Sequence, residues 1–223
     1  MKRRMKLGGV MLLAMLSLAA FAVAGASASQ PEFEGAPATF KASQVGSGEL
    51  TTFATITCSA GSSTGEVNTA TTVKGVKIIY TGCKEPLFGT PCTSSGAASG
   101  EIRTNALSGK TAYLTAGSSE AGIVLKPESG TSFAAFSCSI SGAHNVTGEV
   151  VCHATPVNTL SATGELNCTK SGSTQTPTSY LNPSGCAAVT GVTLKDGSST
   201  AAVAAKNAVT FSKSLKLNSS KCV

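Results

Sequence analysis

The sequence predicts an all-β fold: an antiparallel β-sandwich or barrel-like domain that is held together by disulfides. Charged residues make up only 13% of the chain, while Ser, Thr, Gly and Ala dominate its composition. Such a composition suits closely spaced strands and tight turns better than helices. Short apolar segments between turn signals, and an even number of cysteines, argue against the alternative of a disordered chain.

The first 28 residues have the three parts of a secretory signal. Four basic residues lie among the first six, an uncharged run follows over residues 7–25, and Ala26-Ser27-Ala28 fits an A-x-A cleavage site. A transmembrane anchor is the alternative, since the uncharged run is nearly long enough to span a bilayer. The small residues at the end of the run favour cleavage. We therefore expect a secreted or cell-surface protein with no membrane span after the signal is removed.

Removal of the signal changes the charge of the chain. The full sequence carries a formal net charge of +6, but four of its 17 basic residues and none of its 11 acidic ones lie in the signal, which leaves about +2. No run of Lys or Arg remains, so the electrostatic footprint of a nucleic-acid-binding protein is absent from the sequence. We predict a β-domain over residues 29–155 and a C-terminal β region over residues 156–223 that packs on the same domain.

All eight cysteines lie after the signal, and four disulfides are expected in an oxidising compartment: Cys58, Cys83, Cys92, Cys138, Cys152, Cys168, Cys186 and Cys222. The favoured pair is Cys83–Cys92, which would close a short loop over residues 84–91. Cys58–Cys138 is a weaker prediction that rests on the repeat described next. Cys168–Cys186 is the third, and it leaves Cys152 and Cys222. A zinc site is the alternative, but the sequence has no C-x-x-C motif, and Cys152-His153 alone is not a ligand set.

An internal repeat relates residues 51–59 to residues 131–139. Five of the nine aligned positions are identical, and each copy continues through a Ser/Gly-rich loop to a Thr-Gly-Glu-Val sequence, at residues 64–67 and 147–150. In the first copy Ile56 and Cys58 alternate with polar residues and fall on one face. The repeat unit therefore predicts a strand, a loop and a second strand.

A Gly-Glu-aliphatic triplet occurs five times and contains half of the glutamates: Glu49, Glu66, Glu101, Glu149 and Glu165. A catalytic interpretation would make one of them a general acid or base. We favour a structural interpretation, in which each glutamate faces solvent at the start of a strand and discourages pairing between sheet edges.

Apolar alternation predicts further strands over residues 73–81, 110–115, 122–125, 146–153, 160–167, 189–195 and 209–217. Gly75 interrupts the first of these and predicts a β-bulge. The Ala-rich stretch over residues 200–208 is ambiguous, because its composition also fits a short helix. Asp196-Gly197 is a turn signal between two strands.

Several short motifs occur in an order that resembles a known family. They are F-x-x-x-x-C-S (residues 53–59), T-G-C (81–83), P-C-T-S-S-G-A (91–97), G-E-I-R-T-N-A-L-S-G (100–109), L-K-P (125–127), F-x-x-F-x-C (133–138) and T-P-V-N (155–158). In these motifs the chain resembles a family of uncharacterised secreted proteins of actinobacteria, over about residues 30–160. The resemblance implies export and β structure, and it implies no catalytic residues because the family has no assigned activity.

The chain is poor in the residue types of known catalytic sites. It contains two histidines, His144 and His153, one aspartate, Asp196, and no G-x-S-x-G motif. We interpret His144 as an exposed residue of the variable repeat loop and His153 as a residue at a strand end. The sequence has no nucleotide fingerprint, and its acidic residues are dispersed, so neither a cofactor nor a metal site is predicted.

Three functional hypotheses follow. The leading one is a non-enzymatic β-domain, secreted or at the cell surface, that binds an envelope component or another extracellular protein. The second is an extracellular hydrolase with two glutamates in one cleft, drawn from Glu66, Glu101, Glu149 and Glu165, and with Tyr80, Tyr113 and Tyr180 as a stacking platform. The third is an inhibitor or other partner-binding module that presents the Cys83–Cys92 loop.

Overall fold

The structure, a computed structural model, describes residues 30–182 and 186–222, so the predicted signal lies outside the described residues. None of these residues form a helix long and apolar enough to cross a membrane. The described residues form twenty strands: β1 Glu32–Glu34, β2 Ala38–Gln44, β3 Gly48–Thr51, β4 Thr55–Cys58, β5 Ala60–Val67, β6 Thr72–Thr81, β7 Lys84–Glu85, β8 Thr90–Thr93, β9 Ile102–Arg103, β10 Leu107–Tyr113, β11 Ala121–Pro127, β12 Ser132–Cys138, β13 Gly142–Gly148, β14 Val150–Thr155, β15 Leu160–Ser171, β16 Thr174–Thr176, β17 Ser179–Leu181, β18 Ala188–Thr190, β19 Leu194–Asp196 and β20 Ser199–Asn218.

Eight of these strands close into an antiparallel barrel. Their order around the wall is β2, β5, β6, β10, β11, β14, β15 and β20, and β20 pairs back to β2. Closure leaves these strands without free edges. The prediction of an antiparallel all-β fold is confirmed, and of the two predicted architectures the structure shows the barrel.

Most of the other strands form a second circuit of pairings, which we call the small ring. It runs β20, β3, β4, β7, β8, β12, β13 and β19, and then returns to β20. Its links are short, since β4 and β7 share one residue pair and β8 and β12 share two. So few ladder hydrogen bonds leave the small ring dependent on other contacts.

The longest strand, β20, forms a wall of both the barrel and the small ring. Its first six residues pair with β19 and β3, and the remainder pairs with β15, β2 and β1. At the crossing, the buried Gln175 amide accepts from Val203 N at 2.9 Å and donates to Val203 O at 3.1 Å. The short helix considered for residues 200–208 is therefore wrong, because strand partners and this amide satisfy the backbone there.

All eight cysteines form disulfides, as expected, but the three favoured pairings are wrong. The bonds are Cys58–Cys83, Cys92–Cys138, Cys152–Cys168 and Cys186–Cys222. Cys83 and Cys92 do lie together at the base of the β7–β8 hairpin, where Cys92 N donates to Cys83 O at 3.0 Å. Each then bonds a cysteine of a different strand, β4 or β12. Four disulfides are typical of a protein that folds in an oxidising environment.

Two of the predicted strands are each divided in the structure. Residues 146–153 cover the end of β13 and the start of β14, and residues 189–195 cover β18 and β19. The first break lies at Gly148, whose φ is +103° and where a Cβ would lie 2.3 Å from Thr193 O. Gly75 forms the predicted bulge, with φ at +61° and a register shift against both neighbouring strands.

The two copies of the sequence repeat occupy different settings. In the second copy β12 and β13 pair as a hairpin, whereas in the first copy β4 pairs with β3 and β7 and the following β5 belongs to the barrel. Cys58 and Cys138 are both buried in the small ring. Their preceding phenylalanines differ, since Phe53 is 60% exposed and Phe133 is buried.

The main hydrophobic core extends from the barrel interior into the small ring. A second, smaller cluster lies on the outside of the barrel wall, where Tyr180 and Val192 cover Ala112, Val124 and Val151. The β17–β18 hairpin thus shields one outer face of the barrel and leaves the interior available.

Candidate functional site

The barrel interior contains an apolar cavity. Inward-facing side chains of the wall line it, including Val67, Val73, Val76, Ile123 and Leu125. Its volume is about 100 Å³, which is close to the roughly 150 Å³ of an engineered apolar cavity that takes up benzene or xenon. An eight-stranded barrel is wide enough either to be filled by side chains or to hold one small ligand.

Three phenylalanine rings form one side of the cavity. Phe211 lies 6.4 Å from both Phe33 and Phe40 between ring centroids, and its ring is steeply inclined to each. Gly65 makes room for this arrangement, since a Cβ at that position would lie 2.6 Å from Cζ of Phe40. The glycine of the first Thr-Gly-Glu-Val sequence therefore serves close packing inside β5 and not a turn.

One part of the cavity wall is irregular, because the ladder between β15 and β20 is interrupted. Ser161 pairs with Leu215 and Thr163 with Thr210, so one residue of β15 faces four residues of β20. Three of the lining residues, Thr155, Thr159 and Thr163, are exposed to solvent. The mouth of the cavity is thus edged with hydroxyl groups.

Tyr80 lies at the opposite end, where it lines both the barrel cavity and a smaller one between the barrel and the small ring. Burial raises the pKa of Tyr80 to about 12 because the apolar surroundings disfavour the phenolate. The phenol therefore stays neutral over the physiological pH range and offers a hydrogen-bond donor inside the protein.

The glutamates of the repeated triplet do not share the predicted setting. Glu66 lies at the end of β5 and Glu165 lies within β15, so the prediction that each glutamate marks a strand start is wrong for these two. Glu66 pairs with Lys74 at 3.7 Å and Glu165 with Lys206 at 2.8 Å. Glu101 pairs with Arg103.

The two barrel glutamates lie on strands that are not neighbours. β5 and β15 are three strand positions apart around the wall. Each glutamate has its own lysine partner, so the contacts of Glu66 and Glu165 do not join the two carboxyl groups in one site.

The prediction that His144 is exposed is wrong, because the residue is buried. It lies on β13, where only 2% of the residue is accessible. Its Nδ1 is 2.7 Å from Oδ2 of Asp196, and its Nε2 is 2.7 Å from Oγ of Ser141. The structure thus joins a serine, a histidine and the single aspartate of the chain in one hydrogen-bonded line.

Aromatic side chains hold the His144 ring on both faces. Phe53 and Phe136 stack on it at centroid distances of 4.7 and 4.8 Å, with interplanar angles of 17° and 15°. These two phenylalanines come from the two copies of the sequence repeat, so the copies meet at His144. Asp196 is fixed as well, since its Oδ1 accepts from Asn145 N at 3.0 Å.

A buried carboxylate, Glu85, lies next to this line of residues. It accepts from the backbone N–H groups of Ile140 and Ser141 at 3.3 and 3.0 Å, and from the Thr90 hydroxyl at 2.8 Å. A hydrogen bond from the Ser141 side chain is the first of several that lower the pKa of Glu85. Glu85 therefore occupies an anion-binding position formed by two consecutive amides.

Other predicted site residues lie apart from these two places. His153 is on β14 opposite Asn167, and Tyr113 and Tyr180 are buried, so the three tyrosines form no exposed platform. Glu85 also approaches Cys92 and Cys138, but both sulfurs belong to one disulfide and do not act as thiolate ligands.

The loop at the tip of the β7–β8 hairpin is exposed and apolar. Leu87 and Phe88 are 83% and 62% accessible. The third functional hypothesis placed a Cys83–Cys92 bridge across this loop. The bridge does not form, and the loop is held by two disulfides to neighbouring strands instead.

Compared with known proteins, the chain matches no family model, no curated protein and no solved structure.

Proposed function

We propose that the protein is exported and that its barrel is a binding module for a small, neutral, apolar molecule, with no chemistry of its own in the cavity. The observation that carries the proposal is the solvent-connected apolar cavity inside a closed barrel. Binding sites for small molecules are usually concave, largely apolar and formed before the ligand arrives.

The charge of the lining supports a neutral ligand. Glu165 is the one charged residue among the described residues that line the cavity, and Lys206 neutralises it at 2.8 Å. A free carboxylate or amine on the ligand would thus lack a charged partner in the cavity and would lose its hydration on entry. The hydroxyl groups at the mouth suit a ligand that keeps a small uncharged polar group near solvent.

Export is the second part of the proposal. It rests on the signal sequence over residues 1–28 and on four disulfides, which persist in oxidising compartments. The ligand would then be a molecule of the cell envelope or of the surrounding medium.

The test is a titration of the oxidised protein, residues 29–223, with benzene and with xenon, followed by ¹H–¹⁵N NMR spectra. We expect saturable shifts at residues that line the cavity. Ala154→Leu, which fills the cavity from β14, should abolish them, and Ala162→Leu, at an exposed position of β15, should keep them. Unsaturable shifts, or equal binding by Ala154→Leu, would contradict the proposal.

A further inference from the structure

We propose that Ser141 is a nucleophile activated by His144 and Asp196, and that the small ring is a latent esterase site for short apolar acyl groups. The site is separate from the barrel cavity, since none of these three residues lines that cavity. The three side chains have the mutual geometry by which a nucleophile, a base and an orienting carboxylate are recognised in unrelated folds.

The Ser141–His144 contact provides the base. Nε2 of His144 is 2.7 Å from the serine hydroxyl, within the distance that a proton transfer requires. Oδ2 of Asp196 faces Nδ1 of the same ring, which leaves Nε2 as the ring nitrogen that faces Ser141. The stacked rings of Phe53 and Phe136 leave the imidazole no freedom to turn away.

The anion-binding position next to Ser141 provides the second requirement. The N–H groups of Ile140 and Ser141 donate to the two oxygens of one carboxylate, Oε2 and Oε1 of Glu85 respectively. Consecutive backbone N–H groups of this kind form an anion-binding position, which could receive the oxyanion of an acyl-transfer intermediate. In the structure the Glu85 carboxylate occupies that position.

Glu85 makes the site latent. The Ser141 hydroxyl contacts Nε2 of His144 at 2.7 Å, while the backbone N–H of Ser141 donates to Glu85 at 3.0 Å. While Glu85 holds the amides, an oxyanion would meet a negative charge at the same position. Rotation of the Glu85 side chain away from the amides would make them available.

The reaction then follows two balanced steps. Ser141 Oγ attacks the carbonyl carbon of an ester, its proton passes to Nε2 of His144, and the ester C–O bond breaks as the alcohol leaves with that proton. Water then attacks the acylated serine, again with His144 as the base, and releases a carboxylic acid. The products are one alcohol and one acid, so no oxidant, reductant or metal takes part.

The rim of the site indicates the acyl group. Phe53 and Ile140 are 60% and 53% exposed. Both lie next to the three proposed site residues, because Phe53 stacks on His144 and Ile140 directly precedes Ser141. Apolar side chains at this position suit a short alkyl or aryl acyl chain over a charged one.

The test is labelling of the full-length mature protein with a fluorophosphonate, with mass spectrometry to locate the adduct. We expect an adduct at Ser141 that is lost in Ser141→Ala and retained in the matched control Ser139→Ala, an exposed serine of the same turn. Glu85→Gln, which removes the negative charge, and Glu85→Ala, which also frees the amides, should label faster, by up to about 100-fold in Glu85→Ala.

Two further measurements separate catalysis from a merely structural role. Hydrolysis of p-nitrophenyl butyrate should disappear in Ser141→Ala while the protein remains folded, as a cooperative thermal transition would show. Asp196→Asn should change the pH profile of labelling, which a packing defect would not do. Absence of an adduct at Ser141 in folded wild type and in both folded Glu85 variants would overturn the proposal and leave a structural hydrogen-bond network.

Discussion

The barrel and the small ring close their strands in opposite ways. The barrel has long ladders of up to eight residue pairs around an apolar interior that is not completely filled. The small ring has ladders of one to six pairs, and its interior holds two disulfides and a buried polar network. A ring with few backbone hydrogen bonds therefore depends on disulfides and on buried side-chain hydrogen bonds. A well-paired wall can leave space for a ligand.

The largest expected effect is the loss of a disulfide from the small ring. Cys92→Ser with Cys138→Ser opens a loop of 46 residues, and the chain-entropy estimate gives a loss of about 4 kcal/mol in the free energy of unfolding. Cys152→Ser with Cys168→Ser, in the barrel, is the matched control, with a loop of 16 residues and about 3 kcal/mol. Urea unfolding measures both. A larger loss for the barrel pair would reverse the comparison.

The next effect is the loss of the buried hydrogen bonds of Asp196. Asp196→Ala leaves the His144 ring and the Asn145 N–H group without their acceptor, and leaving buried donors unsatisfied costs about 2 kcal/mol. The exposed pair on the barrel wall offers the control, because Glu66→Gln removes the partner of Lys74 at a cost of less than about 0.5 kcal/mol. Equal effects in thermal unfolding would show that the network contributes nothing beyond a surface contact.

A third test compares the packing of the two interiors. Ala201, buried beside the small ring, lines neither of the two apolar cavities, so Ala201→Leu should destabilise the protein by about 2 kcal/mol through overpacking. Ala154→Leu extends into the barrel cavity and should stabilise it by about 1 kcal/mol. Differential scanning calorimetry measures the thermal stability of both variants. Destabilisation by both substitutions would mean that the barrel is as tightly packed as the small ring.

The smallest effect is a pH dependence at the junction of the two regions. Burial raises the pKa of Tyr80 to about 12 in the folded state. The contribution of its protonated phenol to the free energy of unfolding is therefore complete below pH 10, and it is lost as the pH rises towards 12. At pH 11 the wild type should lose about 1 kcal/mol relative to its stability at pH 9. Tyr80→Phe should not show this part of the loss. If wild type and Tyr80→Phe lost the same stability between pH 9 and pH 11, the Tyr80 phenol would be in contact with water.

The sequence predicted the fold class from its composition, the number of disulfides from the even number of cysteines, and the bulge from Gly75, a glycine inside a strand pattern. All three signals can be read without knowing which strands meet. The disulfide pairing was mispredicted because it depends on which strands meet in the small ring. Cys83 and Cys92 are neighbours in the structure, yet each faces a different partner strand. Closure of a ring through β20 is a long-range event that loop lengths do not reveal.

The candidate sites were harder to predict than the fold. Ser141 and His144 are only three residues apart, but Asp196 is 52 residues further along the chain than His144, so nothing local in the sequence connects the aspartate with the other two. One available signal was the alternation of His144 with Val146 on a short strand, which would have placed the histidine on the buried face. The barrel cavity had no such signal, because its lining residues, among them Ala42 and Ala154, lie on different strands.

Because β20 contributes to both closed circuits, no boundary between strands separates the barrel from the small ring. A protein cut within this strand would lose a wall of the barrel and a wall of the small ring in the same event. Slow-exchanging amides in the two regions should therefore report one common opening reaction. An engineer who wishes to transplant the cavity into another scaffold must take the small ring with it.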